Sequence, residues 1–529
     1  MNLFFRRYWK KLLLVLLLFA VALRLGSFFA ALDYDEIWTL EFFSGKPVSA
    51  IFQELALPNN QPLNSLWVKL AVDAGLPLWA VRLHSLAAGV LSVLLVVALG
   101  TRLGGSRRAG FWSGVFLLCS APCVVYSQQA RGYALQLFFL LLVAWGLSRP
   151  PGRRYRYAAP AAVAAGGLYS VLTLSTSVLF LGAIVLGYFI MRPKLPEKSI
   201  LAVLGAGLLF CALWYGFNLE QFRSGQQFGT VISTPAEMMR FSFATLEKVI
   251  PLEWCFLLIP GVLLAPRRLG PAVLCGMTVV LLAALITRGG PVRVYIPFAA
   301  GAALLCGAGV DRLCRRFPGP RAGVIAAAAL VLAVSGFFRE LPRWRFPDWY
   351  ALFAEGARQG SDTLVIYPAT SGFPIMWNNR PRSVEENSAR VTESGKLRKL
   401  LLFSCGNELN GTDRNHSEKV LPLKTPGTPA GNGTLYALER IGCPGPGDEV
   451  LLITAEGDPL LDRAFADDLE KSGKFLRLNI FFEEKTGTGR VSVIRGGRLG
   501  PEGAVDWKNQ PEQLKVFRIK QVSTGKGRP

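Results

Sequence analysis

Charge is what this chain has little of. Only 18% of its 529 residues are Asp, Glu, Lys or Arg, against 51% hydrophobic, and the mean hydropathy is +0.35. That balance excludes an ordinary soluble protein and indicates a polytopic membrane protein with a soluble extension. Acids are scarcer than bases, 36 against 58, for a formal net charge of +22. No basic stripe with interleaved aromatics occurs outside the apolar half, so nucleic acid is excluded as a partner. Histidine is limited to two residues: His84 reads as a structural hydrogen-bonding side chain near a helix end, and His416 as an exposed loop residue. Seven of the nine cysteines fall in or beside apolar runs and read as small buried hydrophobes. Cys119 and Cys123 have no nearby His, Cys or carboxylate to complete a metal site. Cys405 and Cys443 alone lie in the polar part, available to bridge if it faces an oxidising compartment.

What is present is a series of apolar runs. Spans are expected near 12–30, 82–100, 109–126, 133–147, 157–173, 177–191, 200–217, 251–266, 270–287, 294–310 and 321–338. The fold class is therefore membrane all-α, with about 11 transmembrane helices, followed by a soluble α/β domain. Residues 1–340 form the membrane domain and 345–529 the second domain. Arg6, Arg7, Lys10 and Lys11 precede the first run, which reads as a retained anchor because no small-x-small cleavage site follows it. Arg24, near the far end of that run, is expected to snorkel to the interface or face the acidic loop after it. Basic clusters at 102–108, 149–156, 192–198, 267–268 and 312–321 fall in alternate loops on the side of the N-terminus. The positive-inside rule makes that side cytoplasmic and puts the polar domain on the outer, periplasmic or extracellular face of the inner membrane.

The long first outer loop, 31–80, contains an expected surface helix around Val48–Leu55. A second outer loop, 218–250, is longer than a connection requires and reads as a partly mobile cover. In the polar domain, short β-rich runs at 363–367, 399–404, 450–454, 475–482 and 490–494 alternate with helical patterns such as 464–472, suggesting Rossmann-like layering. Thr486-Gly487-Thr488-Gly489 is a turn signal between the last two runs, and the tail from Gly496 reads as loose at its end. The Gly/Pro-rich segment 442–447 has no strand-turn-helix nucleotide fingerprint, so no cofactor is assigned to it.

The chemistry centres on Asp33, Asp35 and Glu36, directly after the first apolar run. An ionisable group costs about 2.5–3.5 kcal/mol in hydrocarbon, so such a cluster needs solvent or a task. A carboxylate accepts a proton from an attacking hydroxyl, and arginine forks neutralise a departing phosphate. Arg131 with Tyr133, and Arg288 and Arg293 with Tyr295, lie at outer helix ends, where the positive-inside bias should leave few arginines. Singly each reads as a headgroup anchor; as a group they read as phosphate ligands. A divalent cation is compatible with the acidic loop, but two adjacent carboxylates without a spaced third ligand form a weak set, and no metal residues are assigned.

Four segments in order carry a resemblance: the acidic pair Asp35-Glu36; Asn59-Asn60-Gln61-Pro62-Leu63-Asn64; Val81-Arg82-Leu83-His84-Ser85; and Tyr126-Ser127-Gln128-Gln129-Ala130-Arg131-Gly132-Tyr133. The chain resembles bacterial membrane glycosyltransferases of the GT-C fold. Within them it is similar to the group of protein O-mannosyltransferases, the lipid A aminoarabinose transferase and the galacturonosyltransferases. The likeness covers residues 1–190 by motif and 200–340 by layout. It implies transfer of a sugar from a polyprenyl-phosphate donor to a lipid, glycan or protein acceptor at the outer face. Asp35 would be the catalytic carboxylate and Glu36 its neighbour. Asn59, Asn60, Gln61, Asn64, Arg82, Arg131 and Tyr133 would contact substrate, with Arg288, Arg293 and Tyr295 beside them. Where many relatives carry histidine before the proline of the second segment this chain has Gln61, which hydrogen-bonds but carries no proton at neutral pH. The rival from another class is a transporter or flippase of lipid-linked sugars. It is disfavoured because charged groups gather at the rim and the midplane has almost no acids. A scaffold acting through 345–529 is a further alternative.

Overall fold

A computed structural model describes residues 2–344 except 56–59, 150–154, 193–195, 226–233, 267 and 287–290, and beyond 344 the backbone of seven strands. The chain divides into two compact units, 1–29 with 38–344, and 30–37 with 345–529.

The helices in chain order are α1 (Asn2–Leu25), α2 (Tyr34–Phe43), α3 (Val48–Gln53), α4 (Pro62–Asp73), α5 (Leu83–Leu103), α6 (Arg107–Leu118), α7 (Ala121–Val125), α8 (Tyr133–Ser148) and α9 (Ala158–Thr173). They continue with α10 (Ser177–Met191), α11 (Lys198–Phe217), α12 (Leu219–Gly225), α13 (Pro235–Val249), α14 (Cys255–Leu264), α15 (Leu269–Ile286), α16 (Pro297–Arg316) and α17 (Pro320–Trp344). Each expected span coincides with helix, but the run 109–126 is broken into α6 and α7. Pro122 enters at the first turn of α7, and a proline can open a helix yet not continue one.

Among the described residues, Leu78–Leu103, Lys198–Phe217, Pro297–Arg316 and Pro320–Trp344 are long and apolar enough to cross a bilayer, and the bent pair α14–α15 adds a fifth. The apolar helices α8, α9 and α10, at 16, 16 and 15 residues, fall short of the ~20 that a perpendicular crossing takes. The chain is a multi-pass helical membrane protein. Its outer helices carry large apolar side chains in the open: Leu208 on α11, Phe256 on α14 and Val324 on α17 are 73%, 73% and 69% exposed. Such surface is stable in contact with lipid, where its exposure carries no hydrophobic penalty.

Inside, small residues let helices approach closely. A Cβ added to Gly307 of α16 would lie 2.6 Å from the Ala109 carbonyl of α6, and one added to Gly100 of α5 would lie 3.0 Å from the Gly110 Cα. In a membrane such packing substitutes for the weak hydrophobic drive between helices. At this end of the bundle Arg108 Nε donates to Asp311 Oδ1 at 2.6 Å and its Nη2 to the Asp311 carbonyl at 2.9 Å. Arg315 closes on the other carboxylate oxygen at 2.9 Å. Arg108 therefore differs from its basic neighbours: it is a buried ion-pair partner locking α6 to α16 as well as a member of a topology cluster. Arg24 is likewise 1% exposed instead of snorkelling, with Nη1 donating to the Ala20 carbonyl at 3.1 Å.

α3 occupies the expected surface helix. In the described parts of 218–250 lie α12 and α13, and α13 opens with a capping box in which Thr234 and Glu237 exchange hydrogen bonds.

In the second unit the strands are β1 (Thr363–Tyr367), β2 (Lys399–Phe403), β3 (Leu438–Ile441), β4 (Glu449–Thr454), β5 (Ile480–Thr486), β6 (Gly489–Ile494) and β7 (Leu514–Lys520). They form one sheet in the order β3-β2-β1-β4-β7-β6-β5. The first four are parallel neighbours. β5 and β6 form a hairpin with Thr486 opposite Gly489, as the turn signal indicates. Two strands escape the sequence reading, β3 and β7. The latter lies in the tail from Gly496, ahead of the end that reads as loose, and pairs antiparallel with β4 and parallel with β6. The helical pattern at 464–472, the Gly/Pro-rich segment 442–447, His416, Cys405 and Cys443 lie outside the described residues.

Candidate functional site

The acidic segment folds into the first turn of α2. The Asp33 carbonyl accepts the Ile37 amide at 3.0 Å, so Asp33 is the residue from which the helix starts. Glu36, 1% exposed, reaches back so that Oε2 accepts the Asp33 amide at 2.9 Å. That is one half of a capping box and stabilises a helix N-terminus. Glu36 therefore has a structural duty. Asp35, half-buried in the same turn, is the carboxylate placed by that cap.

In the larger unit a polar site is built around the start of α8. Tyr133, 2% exposed, is its first residue, and its hydroxyl accepts Arg293 Nε at 2.8 Å. The Arg131 guanidinium lies 5.7 Å from the Tyr133 ring centroid and that of Arg293 6.0 Å. Arg131 is 1% exposed. Arg293 sits in the 3₁₀ turn Val292–Tyr295 that leads into α16. Two guanidinium groups from distant parts of the chain thus share one aromatic ring, a contact worth about 0.5–2 kcal/mol each.

The backbone of this segment is pinned from two directions. Gln61 Oε1 accepts the Gly132 amide at 2.5 Å, which fixes the amide orientation of Gln61. A Cβ on Gly132 would fall 2.6 Å from Thr173 Cγ2 and 2.9 Å from Gln61 Oε1, so glycine is needed there. From the other direction Ser85 Oγ donates to the Arg131 carbonyl at 3.0 Å. With its proton committed there, Ser85 meets His84 Nε2, 3.2 Å away, through its oxygen. The ring proton then belongs on Nε2, which donates to Asn64 Oδ1 at 2.7 Å. Asn64, His84 and Ser85 are therefore a contiguous set of polar contacts that reaches the Arg131 carbonyl. This set leaves Gln61 Nε2 and Asn64 Nδ2, both buried at the start of α4, without partners among the described residues.

Other expected site residues make framework contacts. Arg82 Nη1 donates to the carbonyls of Ser27 and Phe28, at 3.3 and 2.8 Å, holding the chain just beyond α1. Asn60 Nδ2 donates to the carbonyls of Ile51 and Glu54, at 2.8 and 2.7 Å, and its Oδ1 accepts Ser65 Oγ at 3.0 Å. Both act on the loop framework. Tyr295 packs its ring 5.7 Å from Phe241 and 5.8 Å from Phe298, an apolar setting. Asn59 and Arg288 lie outside the described residues. No group of three or more His, Cys, Asp or Glu gathers as a metal site among the described residues. Ser85 and Tyr126 belong to segments singled out in the sequence, but nothing in the one-dimensional pattern marks them; Tyr126 lies edge-on to Tyr133 at 4.8 Å.

No protein-family model and no curated protein matches the sequence. Among solved structures, the fold is similar to ArnT from Cupriavidus metallidurans in the apo state, with a TM-score of 0.47 and 13% identity over 90% of this chain and 96% of that one. It is similar to the same protein bound to undecaprenyl phosphate, with a TM-score of 0.46 and 14% identity over 91% and 97% of the two chains. A third likeness is to the archaeal oligosaccharyltransferase AglB from Archaeoglobus fulgidus in complex with an inhibitory peptide and a dolichol-phosphate, with a TM-score of 0.43 and 12% identity over 75% and 69%.

Proposed function

We propose that the chain is a membrane glycosyltransferase that moves a sugar from a polyprenyl-phosphate donor to a hydroxyl or amine acceptor at the outer face of the membrane. The observation that carries this reading is the meeting of Arg131 and Arg293 at Tyr133. Two arginines brought to one tyrosine supply planar forks that can give paired hydrogen bonds to a phosphate. The four ordered sequence segments support the same reading, because the site's frame uses residues of three of them: Gln61 and Asn64, His84 and Ser85, Arg131 and Tyr133.

In the reaction the acceptor oxygen or nitrogen attacks the anomeric carbon from the face opposite the phosphate. The bond from that carbon to the phosphate oxygen breaks and polyprenyl phosphate departs as an anion, neutralised by Arg131 and Arg293. Asp35 takes the acceptor's proton. Gln61 carries no proton in this scheme and acts through the Gly132 amide. The orphaned donors of Gln61 and Asn64 suit oxygen atoms of a bound substrate, since buried donors left unmade cost about 1–3 kcal/mol.

The test is incubation of the purified protein with a panel of polyprenyl-phosphate sugars, following release of polyprenyl phosphate. Release from one donor in the presence of acceptor, lost in Asp35→Asn, supports the reading. No release from any donor, or a fully active Asp35→Asn, overturns it or removes Asp35 from it, respectively.

A further inference from the structure

The last residue of the larger unit touches the site through a file of rings. Trp344, at the end of α17, packs edge-on against Tyr126 with centroids 5.8 Å apart. Tyr126, 5% exposed, packs edge-on against Tyr133 at 4.8 Å. Tyr133 holds Arg293 by its hydroxyl and both guanidinium groups by its face. Three rings in two edge-on contacts therefore connect the end of α17 to the two arginines.

Trp344 is itself firmly seated. Its indole Nε1 donates to the Lys248 carbonyl at 3.1 Å, which ties it to the last turn of α13. One turn earlier, Glu340 is 0% exposed and accepts from Arg339 Nη2 at 2.9 Å and Arg343 Nη1 at 3.3 Å. Arg339 also reaches Glu253 at 3.0 Å, across the 3₁₀ turn Leu252–Trp254. On the adjacent face, a Cβ on Gly336 would lie 2.9 Å from Pro251 Cβ and 3.3 Å from Trp254 Nε1. The end of α17 is thus fastened by ion pairs, an indole hydrogen bond and a close backbone approach. That density exceeds what anchoring a membrane helix at an interface requires, where a single Trp and flanking arginines suffice.

We propose that Trp344 is a positioning residue for the anion site: acting through Tyr126, it sets the orientation of the Tyr133 ring so that Arg131 and Arg293 converge. The inference rests on the reading of those arginines as the phosphate site. It goes beyond that reading by assigning a role to Trp344 and Tyr126, which touch no substrate. An edge-to-face pair is worth about 0.5–1.5 kcal/mol beyond burial. Loss of the Trp344 ring is therefore expected to weaken anion binding roughly twofold to tenfold.

The experiment uses full-length protein in nanodiscs with polyprenyl phosphate as the probe, comparing wild type, Trp344→Ala, Trp344→Phe and Tyr126→Leu. In parallel, fluorotyrosine is placed at position 133 and its fluorine resonance recorded without ligand. The expected result is weaker binding in Trp344→Ala, substantial recovery in Trp344→Phe, and a shifted or broadened resonance in Trp344→Ala that Trp344→Phe restores. Should Trp344→Ala fail to give folded protein, Tyr126→Leu is expected to show the same loss and the same spectral change. Wild-type binding matched by both variants, or an unmoved resonance in a folded variant, overturns the positioning role. Absence of binding by wild type, with the resonance still responding to Trp344, overturns the phosphate reading and leaves the ring coupling standing.

Discussion

Arg293 Nε donates to the Tyr133 hydroxyl at 2.8 Å across 160 positions of sequence. That bond joins the approach to α16 with the first turn of α8. It also gives a phenol the task of aiming a cation.

Replacing Tyr133 by Phe keeps the ring and removes only the acceptor. Hydrogen bonds to charged groups are worth about 1.5–3 kcal/mol, so affinity for a polyprenyl-phosphate donor is expected to fall roughly tenfold. Arg293→Lys keeps the charge and loses the fork, with a comparable drop expected. Equilibrium binding of the donor checks both; unchanged affinity in the two variants would separate Arg293 from the phosphate.

Asp35 and Glu36 are expected to respond differently despite being adjacent. Asp35→Asn should reduce transfer by at least about 100-fold with little change in thermal stability, the loss typical of a missing general base. Glu36→Gln should do the reverse in kind, lowering stability by about 1 kcal/mol through its weakened cap on the Asp33 amide. Turnover per folded molecule and a melting curve for each variant distinguish the two roles.

At the opposite end of the bundle, Asp311→Ala removes the carboxylate that buried Arg108 holds, whereas Arg108→Ala leaves Asp311 with Arg315. The expected cost is about 3–5 kcal/mol for Asp311→Ala and less for Arg108→Ala, where Arg315 still compensates the carboxylate. Arg108→Met combined with Asp311→Leu removes both charges together and should recover most of the loss. Thermal unfolding in detergent of the two single variants and the double variant gives the coupling directly. Equal and additive losses would count against the pair.

Glycine positions offer a packing test. Gly307→Val forces α16 away from α6, where a Cβ already lies 2.6 Å from the Ala109 carbonyl, and is expected to cost about 1–3 kcal/mol or more. Gly323→Ala on α17 meets nothing within 4 Å and should be neutral or slightly stabilising through helix propensity. Size-exclusion profiles and melting temperatures measure both.

Much of this was legible one residue at a time. Apolar runs locate the helices because a chain in lipid must satisfy its own backbone groups. The Asp33-to-Glu36 spacing contains the cap on α2, and Thr486-Gly487-Thr488-Gly489 contains the hairpin between β5 and β6. Arg131 and Arg293 stood out because they occupy helix ends where the expected topology leaves few arginines. Other assignments depended on distance. For Asn60 and Arg82, expected to contact substrate, the structure adds framework bonds: Asn60 holds the carbonyls of the first loop and Arg82 those beyond α1. Arg24 and Arg108 looked like interface residues, yet both are buried. Residue type tells what bonds a side chain can make and not which acceptor lies within reach.

The sequence by itself determined that this is a multi-pass helical membrane protein with a strand-bearing second unit, because hydropathy and local turn chemistry act over neighbouring residues. It also supplied the two kinds of group the chemistry needs, an acid just after the first helix and arginines at helix ends. Only the tertiary structure decided that Arg131 and Arg293 share one ring, that Gln61 and the Asn64-His84-Ser85 chain hold the backbone between them, and that Trp344 stands behind Tyr126. Those relations are long-range contacts, set by which helices pack together, and no local pattern encodes them.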